Sequence, residues 1–111
     1  MKRIYVAGKL NDDAVGYLKN VSTMVKKSIA VQKCGFSVFV PCLDILMGIV
    51  DGNFGYTDYA NNNMTWLEVA DAVLVLENSE NSKGTQAEIK RAGELNIPVF
   101  YDIEELKNAI S

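Results

Sequence analysis

Histidine is missing altogether from this 111-residue sequence, and cysteine and proline are held to two each. Without histidine there can be no Ser-His-Asp or Cys-His nucleophile system, no HExxH zinc site and no imidazole acid–base chemistry. Two cysteines, Cys34 and Cys42, cannot by themselves build a zinc centre, so no metal and no cofactor is expected. They flank a strand-like segment, too far apart along it for a disulfide, and read as buried thiols of a reducing compartment. Cys42 as a nucleophile lacks a histidine to activate it. No apolar run is long enough to cross a bilayer, and no signal or lipidation motif is present, so a cytoplasmic protein without a membrane partner is expected. The net charge is −3 and the lysines and arginines are scattered. That leaves no basic face for a nucleic acid polymer, although a free nucleotide needs only a few N–H groups and one or two cations. Any chemistry must fall to carboxylates, tyrosines, hydroxyls and backbone dipoles.

Apolar runs do occur, and they are short and punctuated. Lys2 to Ala7 (KRIYVA) is a buried-strand pattern ending at Gly8. Asn11, Asp12 and Asp13 offer caps for an amphipathic helix whose apolar residues Ala14, Leu18, Val21, Val25 and Ile29 carry it to about Lys33, with Gly35 as its stop. Phe36 to Val40 reads as a second strand stopped by Pro41, and Leu43 to Val50 as a short helix. From Asp51 to Asn63 the pattern weakens into an aromatic and Asn-rich loop, with Met64 to Val69 ending a helix. Ala72 to Leu76 (AVLVL) is the most hydrophobic strand and should be central. A polar loop and a helix from Gly84 to Leu95 follow, then a strand at Val99 to Tyr101 and a final helix capped by Asp102 with Glu105.

Strands alternating with helices, each strand a continuous apolar run, specify an α/β fold with a parallel sheet covered on both faces. Right-handed crossovers give a small doubly wound, flavodoxin- or Rossmann-like sheet of about four strands in the order 2-1-3-4, with residues 1–111 as a single domain. Ligands in such sheets bind beyond the carboxyl ends of the strands, where the strand order reverses. Three segments meet there: Gly8 to Asp12, the loop after Pro41, and Glu77 to Glu88.

The last of these, S-K-G-T-Q-A-E from Ser82 to Glu88, runs from the central strand into a helix through Gly84, and helix N-termini attract anions. Thr85 and Glu88 have the spacing of a capping box, which by itself needs no function. Direction argues for more. At about 100° per residue, Glu88 falls between Leu95 and Ala92 on the apolar arc that also holds Ile89, while Gln86, Lys90 and Glu94 lie opposite. Glu88 should therefore face the crevice, where a carboxylate is costly unless hydrogen-bonded or used. Tyr5 on the first strand can reach the same crevice or be a core aromatic. Gly8 and Lys9 follow it at the turn. Phe54, Tyr56, Tyr59, Asn61, Asn62 and Asn63 either stack a base, line a subunit contact or pack beneath a surface loop.

I-Y-V-A-G at Ile4 to Gly8, A-D-A-V-L-V-L at Ala70 to Leu76 and S-K-G-T-Q-A-E at Ser82 to Glu88 together resemble the nucleoside 2-deoxyribosyltransferase superfamily, which includes the deoxynucleoside 5′-monophosphate N-glycosidases. The resemblance implies cleavage or transfer of the N-glycosidic bond of a 2′-deoxynucleoside or its 5′-monophosphate. Glu88 is then the nucleophile at the anomeric carbon, and Tyr5 positions it. By the same resemblance Ser82 is similarly placed to a serine that holds the 5′-phosphate in the monophosphate hydrolases, Gly84 and Thr85 would add backbone contacts to the sugar or phosphate end, and Gly8 and Lys9 are further expected substrate contacts. The family usually has an aspartate where this chain has Asn63, which can still hydrogen-bond a sugar hydroxyl but cannot transfer a proton. Sites in this superfamily are often completed by a second subunit, so a homodimer or higher homo-oligomer is implied.

Other readings compete. G-T-x-x-E at Gly84 to Glu88 is also similar to phosphoribohydrolases of the cytokinin-activating type, but their preceding P-G-G is absent. A non-catalytic nucleotide-binding or sensing domain would use Glu88 as a cap and a ribose contact. A flavodoxin-like interaction module would use the Asn-rich loop to bind protein.

Overall fold

In a computed structural model of the chain, which describes residues 1–110, four strands form one parallel sheet. The elements are β1 (Arg3–Ala7), α1 (Ala14–Lys33), β2 (Ser37–Phe39), a 3-10 turn (Pro41–Asp44), α2 (Ile45–Val50), α3 (Tyr56–Leu67), β3 (Ala72–Val75), α4 (Lys83–Glu94), β4 (Val99–Phe100) and α5 (Ile103–Ala109). The strand order is β2-β1-β3-β4, as the alternating pattern requires, with the chain reversing direction of travel between β2 and β3 on either side of β1. Ile4 pairs with Val38 on one side and Ala72 on the other, and Val73 pairs with Val99.

Because side chains alternate along a strand, β1 feeds two cores. Ile4 packs with Val31, Phe36, Leu74 and Leu106 beneath α1 and α5. Tyr5 and Ala7 point the other way and pack with Leu67, Val73, Val75 and Ala92 beneath α3 and α4. A third cluster of Val6, Met24, Cys42 and Leu76 closes the carboxyl end of the sheet under α1. The helices therefore lie on both faces, and apart from Arg3 at the start of β1 both central strands are buried.

Local chemistry sets the boundaries. Asp13 caps α1 by accepting from the Gly16 N–H at 2.8 Å, and Gly35 with φ +98° turns the chain out of it. Asn96, with φ +59°, does the same after α4, since asparagine tolerates the left-handed region better than most residues. Gly8 turns away from β1 where a Cβ would lie 2.8 Å from Leu76 Cγ, so the strand ends pack backbone against side chain.

Three sequence expectations need correction. The stretch from Asp51 to Asn63 is not all loop: α3 starts at Tyr56, with Gly55 as its N-cap and Asp58 reaching back to the Gly55 N–H at 2.9 Å. The Thr85–Glu88 capping box does not form. Ser82 is the N-cap, accepting from the Thr85 N–H at 3.2 Å, so the helix begins at Lys83 and Glu88 is past its first turn. Cys34, at the C-cap of α1, is exposed rather than buried; only Cys42 is buried, and both are free thiols. Elsewhere α2 buries none of its residues, leaving Leu46, Met47, Ile49 and Val50 exposed. Among the described residues no helix is long and apolar enough to cross a membrane.

Candidate active site

Glu88 stands on the sheet-facing side of α4, half-buried, and the Tyr5 hydroxyl donates a hydrogen bond to its Oε2 across 83 positions of sequence. Tyr5 is fully buried in β1, so its hydroxyl comes from a strand held on both sides. Its ring stacks on Phe39 of β2 at 5.3 Å and 17°, and Phe39 stacks on Trp66 of α3 at 5.8 Å and 20°. Each such contact contributes about 0.5–1.5 kcal/mol beyond area burial, and together they fix the direction of the hydroxyl.

The electrostatics follow from burial. Desolvation pushes the Glu88 carboxyl up to about 7, with the Tyr5 hydrogen bond drawing it partly back. Burial, then the neighbouring Glu88 charge, hold Tyr5 far above the ordinary phenol range, so it remains a proton-bearing donor. The pair is a carboxylate close to half-ionised at neutral pH, held by a donor that does not titrate.

A cavity of about 680 Å³ opens beside Glu88 at the carboxyl end of the sheet. Gly8, Lys9 and Asn63 line it, as do Ser82, Gly84 and Thr85, so the structure brings together the residues singled out in sequence. Tyr5 lies behind Glu88 rather than on the cavity wall. The Lys9 N–H is engaged by Ser79 Oγ at 3.1 Å and its ammonium lies 3.8 Å from Asp12. Ser82 Oγ accepts from both the backbone N–H and the hydroxyl of Thr85, at 3.2 and 3.0 Å. Asn63 Oδ1 is buried without a hydrogen-bond partner, a state that costs about 1–3 kcal/mol unless a ligand donor supplies the bond.

The aromatics that the sequence offered for stacking a base supply more of the wall, while sequence reasoning missed Tyr17 and Asp44. Tyr56 and Tyr59, on the face that α3 turns toward α4, form part of the wall, and Phe54 braces Tyr59 edge-on at 4.6 Å. Asp44 and Tyr17 close the side next to β2. The position of Pro41 at the crevice was the available signal for Asp44. A second hollow of about 450 Å³, between the β3–α4 loop and Tyr101, takes in Glu77 to Glu80 of the predicted crevice segment but none of the catalytic or substrate-binding candidates. Among the described residues no three His, Cys, Asp or Glu side chains gather as a metal site.

Comparison with known proteins adds to this geometry. The family model described as Domain of unknown function (DUF4406) matches residues 2–101. A 2-deoxyribosyltransferase from the psychrotolerant bacterium Bacillus psychrosaccharolyticus is similar in structure, with a TM-score of 0.69 and 22% identity over 96% of this chain and 90% of that one. At that identity the likeness is one of fold, and it agrees with the parallel four-stranded architecture described above. No curated protein matches the chain.

Proposed function

The chain belongs to the DUF4406 family, within the nucleoside 2-deoxyribosyltransferase superfamily, and from that premise we propose that it cleaves or transfers the N-glycosidic bond of a 2′-deoxynucleoside or its 5′-monophosphate. The observation that carries this reading is Glu88, a half-buried carboxylate directed by Tyr5 into a cavity of about 680 Å³. Such a volume suits a single nucleoside or nucleotide.

In this mechanism Glu88 attacks the anomeric carbon while the C1′–N bond breaks and its electron pair leaves with the base. A negative carboxylate stabilises the oxocarbenium-like transition state before any bond is complete. Water or a second base then attacks the same carbon and releases Glu88. Tyr5 is a positioning residue that keeps the carboxylate aimed and lowers its pKa. Asn63 offers its unpartnered oxygen to a sugar hydroxyl. The α4 N-terminus, where the Lys83 and Gly84 N–H groups precede the first intrahelical bond, faces the 5′ end with Ser82, Thr85 and Lys9. The protein acts as a single cytoplasmic domain and as a homodimer or larger assembly.

The test is incubation with each deoxynucleoside and each 5′-monophosphate, with and without a second base, followed by chromatography for free base and new nucleoside. Release that Glu88→Gln abolishes is expected; release unaffected by Glu88→Gln refutes the nucleophile assignment. Asn63, which cannot move a proton, favours a second reading as a nucleotide-binding domain without turnover. That reading predicts saturable nucleotide binding and no free base from any substrate.

A further inference from the structure

An N-glycosidic bond breaks readily only if the departing base takes up a proton, and although Tyr17, Tyr56, Tyr59 and Lys83 also line the cavity, phenols and ammonium groups are as a class weaker acids than a carboxyl. Histidine is absent from the sequence, and Asn63 carries no transferable proton. Tyr5 is committed to Glu88 and is not on the cavity wall. Lys9 is paired with Asp12. Glu88 itself must be ionised to attack.

One other carboxylate lines the same cavity. Asp44 ends the 3-10 turn that follows β2, while Glu88 belongs to the helix that follows β3, and these strands flank β1 on opposite sides. Both carboxyl groups line the one cavity, on elements that follow strands on opposite sides of β1. Asp44 has no structural duty that would account for it. It stands at the N-cap of α2 yet its side chain caps nothing, and among the described residues it forms no salt bridge. It is half-buried and lines the cavity wall.

We propose that Asp44 is the general acid–base of the glycosidic step proposed above. As C1′–N breaks and Glu88 forms the ester at C1′, the Asp44 carboxyl gives its proton to the leaving base. In the second half, the Asp44 carboxylate takes a proton from the attacking water or incoming base as the ester bond to Glu88 breaks. Protons and charge return to the starting state after one turnover.

The surroundings suit that role. Burial pushes the Asp44 carboxyl above its usual range, its own backbone N–H opposing this in part. The titratable groups that feel it are Tyr5 from β1, Tyr17 from α1 and Cys42 from its own turn, each neutral near neutral pH. Lys9, Lys83 and Glu88 are the other charged groups on the cavity wall. The productive arrangement has the proton on Asp44 while Glu88 is ionised.

The experiment rests on the function proposed above and separates the two ideas. Base release is measured from pH 5 to 9 for the wild type, Asp44→Asn and Asp44→Glu, with melting curves as folding controls. 7-Methyl-2′-deoxyguanosine, whose cationic base leaves without protonation, is compared with 2′-deoxyguanosine. The expected wild-type profile is a bell. Asp44→Asn should lose about 10²- to 10⁴-fold on natural substrates while retaining the methylated one, and its profile should rise through the Glu88 titration and then stay flat. Asp44→Glu should restore part of the rate and the bell. An Asp44→Asn variant that keeps the bell, or that loses both substrates equally, overturns the assignment. An inactive wild type overturns the proposed function together with this inference, whereas an active wild type indifferent to Asp44→Asn overturns this inference alone.

Discussion

Replacing Glu88 with glutamine should make the protein more stable, and only above mildly acid pH. Burial raises the Glu88 carboxyl from 4.5 to about 7, so the folded chain holds this proton more tightly than the unfolded chain. Stability from that preference is complete below about 4.5 and is lost as pH rises toward the folded value, beyond which the loss is constant. At about 1.36 kcal/mol per unit the full loss is about 3 kcal/mol by pH 8, and less than about 1 kcal/mol at pH 5. Glu88 retains some solvent contact, so about 1–3 kcal/mol is the fitting range at the upper pH. Glutamine removes the charge, keeps an oxygen to accept from Tyr5, and fills the same space. For a domain of this size a gain of 1 kcal/mol raises Tm by about 4 °C or more. The assay is thermal melting of wild type and Glu88→Gln at pH 5 and pH 8, reading the difference between the two proteins so that other titrations cancel. A gain at pH 8 that shrinks at pH 5 is expected. Equal effects at both pH values, or a less stable variant at pH 8, would show that Glu88 is not desolvated and would refute the electrostatic account of the site.

Tyr5→Phe removes the one donor that opposes desolvation. A hydrogen bond to a charged group contributes about 1.5–3 kcal/mol, so the Glu88 titration should move up by about 1–2 units and the rate at pH 7 fall about 5- to 50-fold, with the acidic limb of the profile displaced to higher pH. An unshifted acidic limb in the pH–rate profile would contradict this. Gly8→Ala puts a Cβ against Leu76 at the end of β3 and should lower stability by about 1–3 kcal/mol in denaturant titration, whereas wild-type stability would count against the close packing. Gly84→Ala meets only Tyr56 Oη at 3.6 Å, so the fold should be unaffected while nucleotide binding, followed by calorimetry, weakens. Phe39→Ala removes the middle ring of the aromatic stack and should reduce turnover more than substrate binding, because it frees Tyr5 without touching the cavity wall.

The strands and their order were legible because buried parallel strands write themselves as unbroken apolar runs, and Ile4–Ala7 and Ala72–Leu76 are such runs. The direction of Glu88 was legible for a similar reason, since Ala92 and its neighbours define one arc of a regular helix. α3 was not. Its inward stripe is Tyr56, Tyr59, Ala60, Asn63, Met64 and Leu67, at proper helical spacing, but asparagine is a poor helix former and Asn63 interrupts the apolar sequence at a stripe position. That position faces a cavity instead of a core, which is why a polar residue occupies it. Asp44 was hidden for another reason. A side chain in an irregular turn has no periodicity from which its direction can be read, and only the placement of the turn beside the crevice hinted at it. Ser82 rather than Thr85 as the cap shows the same limit, since either hydroxyl satisfies the spacing rules and the choice is made by the loop that delivers them.

The ladder of rings behind Glu88 also makes the molecule its own optical instrument. Trp66 is the sole tryptophan, about half its surface lies open to water, and it stacks on Phe39, which stacks on Tyr5. Its emission is therefore not confounded by a second indole. Charge gained or lost on the carboxylate, or a base settling against the cavity wall, perturbs a stack that ends at a fluorophore. Intrinsic fluorescence, titrated against nucleosides or against pH, reads the state of the carboxylate from the outer surface of the protein without any label.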